Sequence, residues 1–466
     1  MTPAPDFATL SSSEKDSVIT ALLARVDALA QEVGALRAEN VALMAENAAL
    51  RAKLNLPPKT PDNSSKPPSQ GQKPNAESKA KGKSKAHAGA HRPLHPNPTR
   101  RRDVLADQCS HCQADVSGVA QTAVHAYDRI EIPQIVPDVT RVTLHGGICP
   151  CCTKRFKAAP PAGLEPGSPF GPNLRAFVLY LRFTQAISFE RLARMMSDVL
   201  GLEISEGALV NILDDSRGAF RTQVALIRRR LLAGTILQSD ETGMRVGKKT
   251  WWNWVFHHGD SACFVIRQSR GKAVVEEFLG DVRPEFWVSD RLGAQTGWAD
   301  KGHQVCLAHL LRDIQYAIDA GDAAFAPAMH KLLRQAIAIG RRRDRLKDAT
   351  LEIYAAKLET KLDRLLQIVP TAEQGEKLKK IIKKWRQNLF IFVTNRDLPP
   401  TNNGSEQALR PCVIFRKVTN CFRSEWAADL YADIRSVVET GRRRAIGALQ
   451  AIRLTLDQQP LPVPSG

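Results

Sequence analysis

Leucine returns at every seventh residue through Leu22, Leu29, Leu36, Leu43 and Leu50, and this repeat limits the start of the chain to one long helix. Four residues after each leucine stand Val26, Val33, Asn40, Asn47 and Leu54, with Ile19 ahead of them. Leucine at one seam position and β-branched residues at the other favour a parallel, two-stranded coiled coil. Residues 14–56 are therefore expected to form a leucine zipper with a second copy of the chain. Asn40 and Asn47 would lie in the seam, where buried amides fix register at some cost in stability. Glu32 would face Arg37 of the other copy, and Glu46 would face Arg51. Pro57-Pro58 stops the helix, because proline has no N–H to donate and crowds the preceding turn.

The composition then shifts. Between Pro57 and Arg102 stand seven Lys and four Arg against Asp62 and Glu77, half of the net charge of +18 carried by all 466 residues. Such a stretch cannot bury a core, so residues 57–104 are expected to be a basic, flexible linker. Arg100, Arg101 and Arg102 at its end are candidate phosphate contacts. The basic excess points to a polyanionic partner, nucleic acid before anionic membrane. No run of ~18 apolar residues is present to span a bilayer, and the start lacks a basic-then-apolar signal pattern. A membrane or secreted protein is not expected, and a cytoplasmic one is.

Five of the nine cysteines lie between Cys109 and Cys152, a clustering that suits metal binding in a reducing compartment. Cys109 with Cys112, and Cys149 with Cys152, form two C-x-x-C knuckles that together offer four thiolates to one structural Zn²⁺. Cys151 is the odd member. The segment from Arg129 to Ile148 alternates and is rich in Ile and Val, as the strands of a zinc-ribbon-like module over 105–160 would be. Cys263, Cys306, Cys412 and Cys421 read as buried free thiols. Residues 168–230 read as helical. Phe189–Leu200 forms one helix, Gly201 breaks it, and Ser205 caps a second, either as a helix-turn-helix or as a structural pair.

From Leu231 the chain turns to short apolar runs. Residues 235–240 form a strand ending on Asp240, 251–256 and 262–267 two more, 272–279 a helix, and 285–290 a strand ending on Asp290. A further strand is expected at 304–307, then a helical, basic insertion over 310–398. This order is that of a ribonuclease-H-like core, with residues 231–309 its first part and 399–458 its last. Asn402 or Asn403 can cap a short helix that Pro411 ends, with Glu406 in its first turns. Carboxylates at neighbouring element ends are the hard oxygen ligands that two-metal phosphoryl transfer requires. Arg410, Arg416, Lys417 and Arg423 follow, suited to phosphates. Glu241 would point to the opposite face of its strand from Asp240. Asp214-Asp215 reads as a solvated face.

Several blocks now align. The zipper, Asn63-Ser64-Ser65-Lys66-Pro67-Pro68-Ser69, the cysteine knuckles, Gln238-Ser239-Asp240-Glu241-Thr242, Cys306-Leu307-Ala308-His309-Leu310 and Asn402-Asn403-x-x-Glu406 with Arg410-Pro411 stand in order. In these the chain resembles bacterial transposases of the insertion sequence 66 family over nearly its whole length. The resemblance implies a DDE transposase with Asp240, Asp290 and Glu406 as ligands of two Mg²⁺ or Mn²⁺, and an all-helical insertion. It implies binding to the element's terminal inverted repeats and to target DNA, at the bacterial nucleoid, with accessory proteins of the same element as further partners. Family members often carry Asp before the paired Asn and Arg after the Glu, where this chain has Thr401 and Gln407. Two other readings use the same features. One is a catalytically inactive, dimeric, zinc-containing DNA-binding regulator derived from a transposase. The other is a ribonuclease-H-like nuclease, which would have little need of a zipper.

Overall fold

The heptad segment is one continuous helix, α1 (Ser12–Leu54). Ser11 and Glu14 open it with a capping box: the Glu14 carboxylate accepts from the Ser11 N–H at 2.9 Å, and Ser11 Oγ accepts from the Glu14 N–H. Its seam residues Leu22, Val26, Leu29, Val33, Leu36 and Leu43 are all exposed. The computed structural model describes residues 10–54, 56–64 and 92–464. Ser65–Ser69 and the linker lysines from Lys66 to Lys85 lie outside the described residues. The chain divides into two units, one of residues 1–72 and 283–404, the other of 73–282 and 405–466. No helix among the described residues is long and apolar enough to cross a membrane.

In the second unit, the strands expected between Arg129 and Ile148 reduce to a short hairpin, β1 (Gly146–Ile148) with β2 (Arg155–Lys157). The rest of that alternating stretch carries no strand, and its Ile130, Ile132, Val136 and Val139 are exposed. Alternation is a signal for a half-buried strand only where something covers the apolar face. Among the described residues nothing covers it.

Helices follow: α2 (Pro172–Leu179), a π-turn over Tyr180–Thr184, α3 (Phe189–Leu200) and α4 (Glu206–Leu232). Gly201 ends α3 in the left-handed region at φ 63°, where only glycine is free of Cβ strain, and Ser205 Oγ caps α4. The second helix is far longer than a recognition helix. It buries Leu209, Ile212, Leu213, Phe220, Ile227 and Leu231 along its whole length, which favours the structural pair over a helix-turn-helix. Asp214 and Asp215 are exposed, as expected for a solvated face.

Three antiparallel strands come next: β3 (Ile236–Val246), β4 (Lys249–His258) and β5 (Ser261–Arg267), then α5 (Lys272–Leu279). Gly247 and Gly259 turn the hairpins at φ 59° and 52°. β3 runs six residues beyond Asp240, so this acid stands mid-strand and not at a strand end. The long hairpin partner β4, with Trp251, Trp252 and Trp254, carries the pairing past it.

The first unit holds the parallel pair β6 (Phe286–Ser289) and β7 (Gly302–Val305), then α6 (Leu307–Asp319), α7 (Phe325–Gly340), α8 (Asp348–Leu365), α9 (Glu373–Trp385) and α10 (Ile391–Thr394). Residues 310–398, expected as a helical insertion, are mostly helical. Arg343, from its basic run, is not offered to a ligand. Its guanidinium donates to the carbonyls of Phe392, Asn395, Arg396 and Leu398 and so locks two loops of the insertion. The start of the linker is also fixed in place. The Asn63 amide donates to Asp319 Oδ2 at 2.9 Å and to Pro58 O, while Lys59 lies 5.4 Å over the Tyr316 ring. Asn63 and Ser64 are buried, so this first part of the expected flexible linker is packed.

The second unit is completed by α11 (Asn403–Thr419), α12 (Glu425–Arg443) and α13 (Ala448–Leu456). Pro411 sits inside α11 and does not end it. Burial of Ala408, Leu409, Cys412 and Phe415 on one stripe offsets the hydrogen bond that the proline removes. Phe415 packs against Tyr431 of α12 with ring centroids 4.4 Å apart. α12 also covers the outer edge of β5. Ser436 Oγ accepts from the Phe264 N–H at 2.7 Å, and Thr440 Oγ1 both accepts from and donates to Ala262 at 3.1 Å. Strand groups that would be left unpaired are thereby satisfied by helix hydroxyls.

Candidate active site

In the second unit, Asp240 is half-buried on β3 opposite Val255 of β4, and its Oδ1 accepts from the Glu241 N–H at 2.9 Å. Glu241 has a different fate from its neighbour. Its side chain is 2% exposed and holds Arg270 at 2.6 Å, and that guanidinium stacks 4.5 Å from the Trp252 ring centre. A residue engaged in this ion pair is structural, in line with its place on the other face of the strand.

α11 lies along β3 and β4. Near its start, Ser405 Oγ is 2.8 Å from His257 Nε2 on β4, and His257 pairs with Gln238, two residues before Asp240. Near its end, Arg416 Nη1 donates to Gly243 O of β3. Helix rise and strand rise match over this span, ~1.5 Å for each helical residue and ~3.3 Å for each strand residue. The buried stripe Ser405, Leu409, Cys412 faces the sheet, and Glu406, Arg410 and Lys417 fall on the neighbouring stripe by their three-and-four spacing. Glu406 is half-buried, and Arg410, Lys417 and Arg423 are exposed. Of the cations expected to meet phosphates here, Arg416 is instead bound to a backbone carbonyl. Arg100, Arg101 and Arg102 are exposed.

In the first unit, Asp290 follows β6 directly, half-buried, and its Oδ1 accepts from the Leu292 N–H at 2.8 Å. The adjacent Arg291 forms an ion pair with Asp313 of α6. The Cys306–Leu310 box is built onto the same strand ends. Cys306 N donates to Ser289 O at 2.9 Å, Leu307 N to Pro400 O at 3.0 Å, and Asn402 N to Cys306 Sγ at 3.1 Å. Asn402, just ahead of the Glu406 helix, is thus fully buried against the residue that follows β7.

Sequence reasoning missed two buried histidines. His257 contacts Ser405, and His303 of β7 has Nε2 3.1 Å from Ser289 Oγ. Burial pushes His257 well below its usual range, helped by the nearby charge of Arg443, and burial brings His303 down to about 4, so both are neutral. A signal was available: Ser239, Ser289 and Ser405 immediately precede the three candidate acids.

Among the described residues no three His, Cys, Asp or Glu side chains are gathered as a metal-holding group. The donor chemistry nonetheless sorts cleanly. Asp240, Asp290 and Glu406 offer only hard oxygen, suited to Mg²⁺ or Mn²⁺. The Cys109–Cys112 and Cys149–Cys152 knuckles offer soft thiolate, suited to Zn²⁺. In each knuckle, backbone N–H groups point at the first sulfur, from His111 and Cys112 at Cys109 and from Cys152 and Cys151 at Cys149, and they hold both thiols below the usual range. The four cysteines outside this module are all buried and form no disulfide among the described residues.

The chain is a mixed helix-and-sheet protein with its candidate acids on β3, after β6 and on α11. Residues 167–430, more than half of the chain and including Asp240, Asp290 and Glu406, match the family described as Transposase IS66 family. The chain belongs to that family. A comparison with curated proteins finds no match.

Proposed function

We propose that the chain is a DNA transposase of the DDE type, which binds the terminal inverted repeats of an insertion sequence and performs strand cleavage and strand transfer. Asp240, Asp290 and Glu406 are its ligands for two Mg²⁺ or Mn²⁺. The observation that carries this reading is α11: the same helix face offers Glu406 and, one and three turns on, Arg410 and Lys417. An acid and two cations so spaced can hold a metal ion and the phosphate backbone side by side. The ribonuclease-H-like reading of the core is supported by the order of its parts, an antiparallel β3–β4–β5, then α5, then a parallel β6–β7. When bound, paired divalent ions activate the attacking oxygen and stabilise the leaving one. The protein's part is to orient the carboxylates and to neutralise phosphates through Arg410, Lys417 and Arg423. Incubating end-labelled inverted-repeat DNA with the protein and Mg²⁺ tests the reading. Cuts at the element end support it; tight binding without cuts is the behaviour of the regulator.

Affinity for DNA should fall steeply with salt, since each neutralised phosphate adds ~0.9 to the slope of log affinity against log salt. Deleting residues 65–102 should flatten that slope while preserving the preference for the element's ends. Replacing Arg410, Lys417 or Arg423 with Gln should lower it by roughly 0.9 for each phosphate left without its cation. Arg416→Gln should leave it unchanged, because that guanidinium already serves Gly243. A deletion that leaves the slope intact would reduce the arm to a spacer.

The exposed leucine seam of α1 is proposed to close a parallel homodimer. The full chain should sediment as a dimer, and a chain lacking residues 1–56 as a smaller species. Replacing Asn40 and Asn47 with Leu should stabilise the pairing yet loosen its stoichiometry. A full chain that stays monomeric at tens of micromolar would remove the zipper.

A further inference from the structure

Ser239, Ser289 and Ser405 each stand one residue before Asp240, Asp290 and Glu406, and all three serines are 0% exposed. Two of them share a second property. Ser405 Oγ is 2.8 Å from His257 Nε2, and Ser289 Oγ is 3.1 Å from His303 Nε2. Each pair lies within one unit, and each imidazole comes from a strand of the local sheet, β4 or β7. We propose that His257–Ser405 and His303–Ser289 are positioning pairs, which fix the backbone immediately ahead of Glu406 and Asp290 and so set the aim of those carboxylates. The inference rests on the acidic trio proposed above and adds two histidines and two serines to its support.

The physical case is that these imidazoles are poor core residues. Both are buried, and the Nδ1 atom of each is buried without a hydrogen-bond partner. A leucine would fill the same space with no stranded polar atom. What an imidazole has and a leucine lacks is the bond from Nε2 to a serine, joined at His303 by an interaction with the Asp290 main chain. In the His303 pair the direction of that bond is set. Ser289 Oγ donates its one hydrogen to Asp290 O at 3.0 Å, so it accepts from His303, which therefore carries its proton on Nε2. The hydroxyl thus links the strand framework to the main chain of the acid itself. In the His257 pair the serine lies in the first turns of α11, so the bond pins the helix end that carries Glu406 to β4. Neither histidine needs to touch DNA for this.

The test measures Mn²⁺ binding to the full chain by calorimetry, separately from any cleavage. Ser405→Ala and His257→Leu should each weaken Mn²⁺ binding by about 10- to 100-fold, the usual effect of removing a group that orients a ligand. The double variant should be no weaker than either single one, because both remove the same bond. His257→Gln, whose amide nitrogen reaches the place of Nε2, should recover most of the affinity. Ser289→Ala, His303→Leu and His303→Gln should repeat the pattern. Wild-type Mn²⁺ affinity in Ser405→Ala and Ser289→Ala, with Glu406→Ala weakened, overturns the positioning role and leaves the trio standing. Unchanged affinity in Glu406→Ala overturns the trio, and the positioning role with it. If either leucine variant fails to fold, the serine variants and the glutamine rescue decide, since they alter the serine's and histidine's polar contacts without changing the volume of the core much.

Discussion

Asp240→Ala should reduce cleavage of inverted-repeat DNA by about a thousandfold or more while DNA binding survives or tightens. Divalent ions in phosphoryl transfer contribute several kcal/mol of charge stabilisation, and ~1.4 kcal/mol corresponds to a factor of ten in rate. Loss of a ligand therefore removes orders of magnitude, not a fraction. The same change removes a negative charge from a chain of net +18, which can only help it hold a polyanion. Asp290→Ala and Glu406→Ala should behave alike. Ca²⁺ should support binding without cleavage. The sharpest control is Glu241, one residue from Asp240. Its carboxylate is buried and held by the half-exposed Arg270, so Glu241→Gln should lower thermal stability modestly, through loss of a charge-assisted hydrogen bond, and leave cleavage near wild type. Wild-type cutting by any of the three alanine variants would remove that residue from the trio. A collapse for Glu241→Gln with unchanged stability would move the ligand one position along β3.

Much of this arrangement is legible from residues alone, and the failures share a cause. The helix Phe189–Leu200, the helix Lys272–Leu279 and the turns at Gly247 and Gly259 follow from local rules of capping, periodicity and left-handed glycine. Asp240 reads locally as a strand end, whereas pairing with β4, a tertiary fact, carries β3 past it. Pro411 reads as a helix stop, whereas the burial of Leu409, Cys412 and Phe415 that overrides it is invisible locally. Arg416 and Arg343 look like free cations because a sequence does not show which carbonyls lie within reach. The candidate acids are easier to find than the groups that orient them. An acid is marked by its motif, whereas His257 and His303 look like any strand histidine until the facing serine is placed.

Cys112→Ser should lose zinc together with the local structure of residues 105–160, while the rest of the chain keeps its fold. The two knuckles are built to one plan. Cys109 N donates to Ala114 O and Gln113 N to Cys109 O, and Cys149 N donates to Lys154 O and Thr153 N to Cys149 O, all at 2.9 Å. Gln113 and Thr153 hold the same left-handed conformation at φ 60° and 56°, which costs a side-chain-bearing residue ~1 kcal/mol or more. Each knuckle is closed by the same backbone bridge, Gln108 with Asp115 and Ile148 with Arg155. The same strained turn recurs around each C-x-x-C pair, and the choice of Cys152 over Cys151 rests on that spacing, since both offer an N–H to Cys149. Hydrophobic burial does not hold this module together, since Val119, Val124, Tyr127, Ile132 and Phe156 are all exposed. A structural Zn²⁺ contributes roughly 10–16 kcal/mol to the folding of small modules of this kind. Elemental analysis should therefore find one zinc in each chain, and Cys151→Ser should retain it. Limited proteolysis of Cys112→Ser should cut within 105–160 and spare the segments beyond. Full zinc occupancy in Cys112→Ser would rule out the four-cysteine set, and zinc loss in Cys151→Ser would exchange Cys152 for its neighbour.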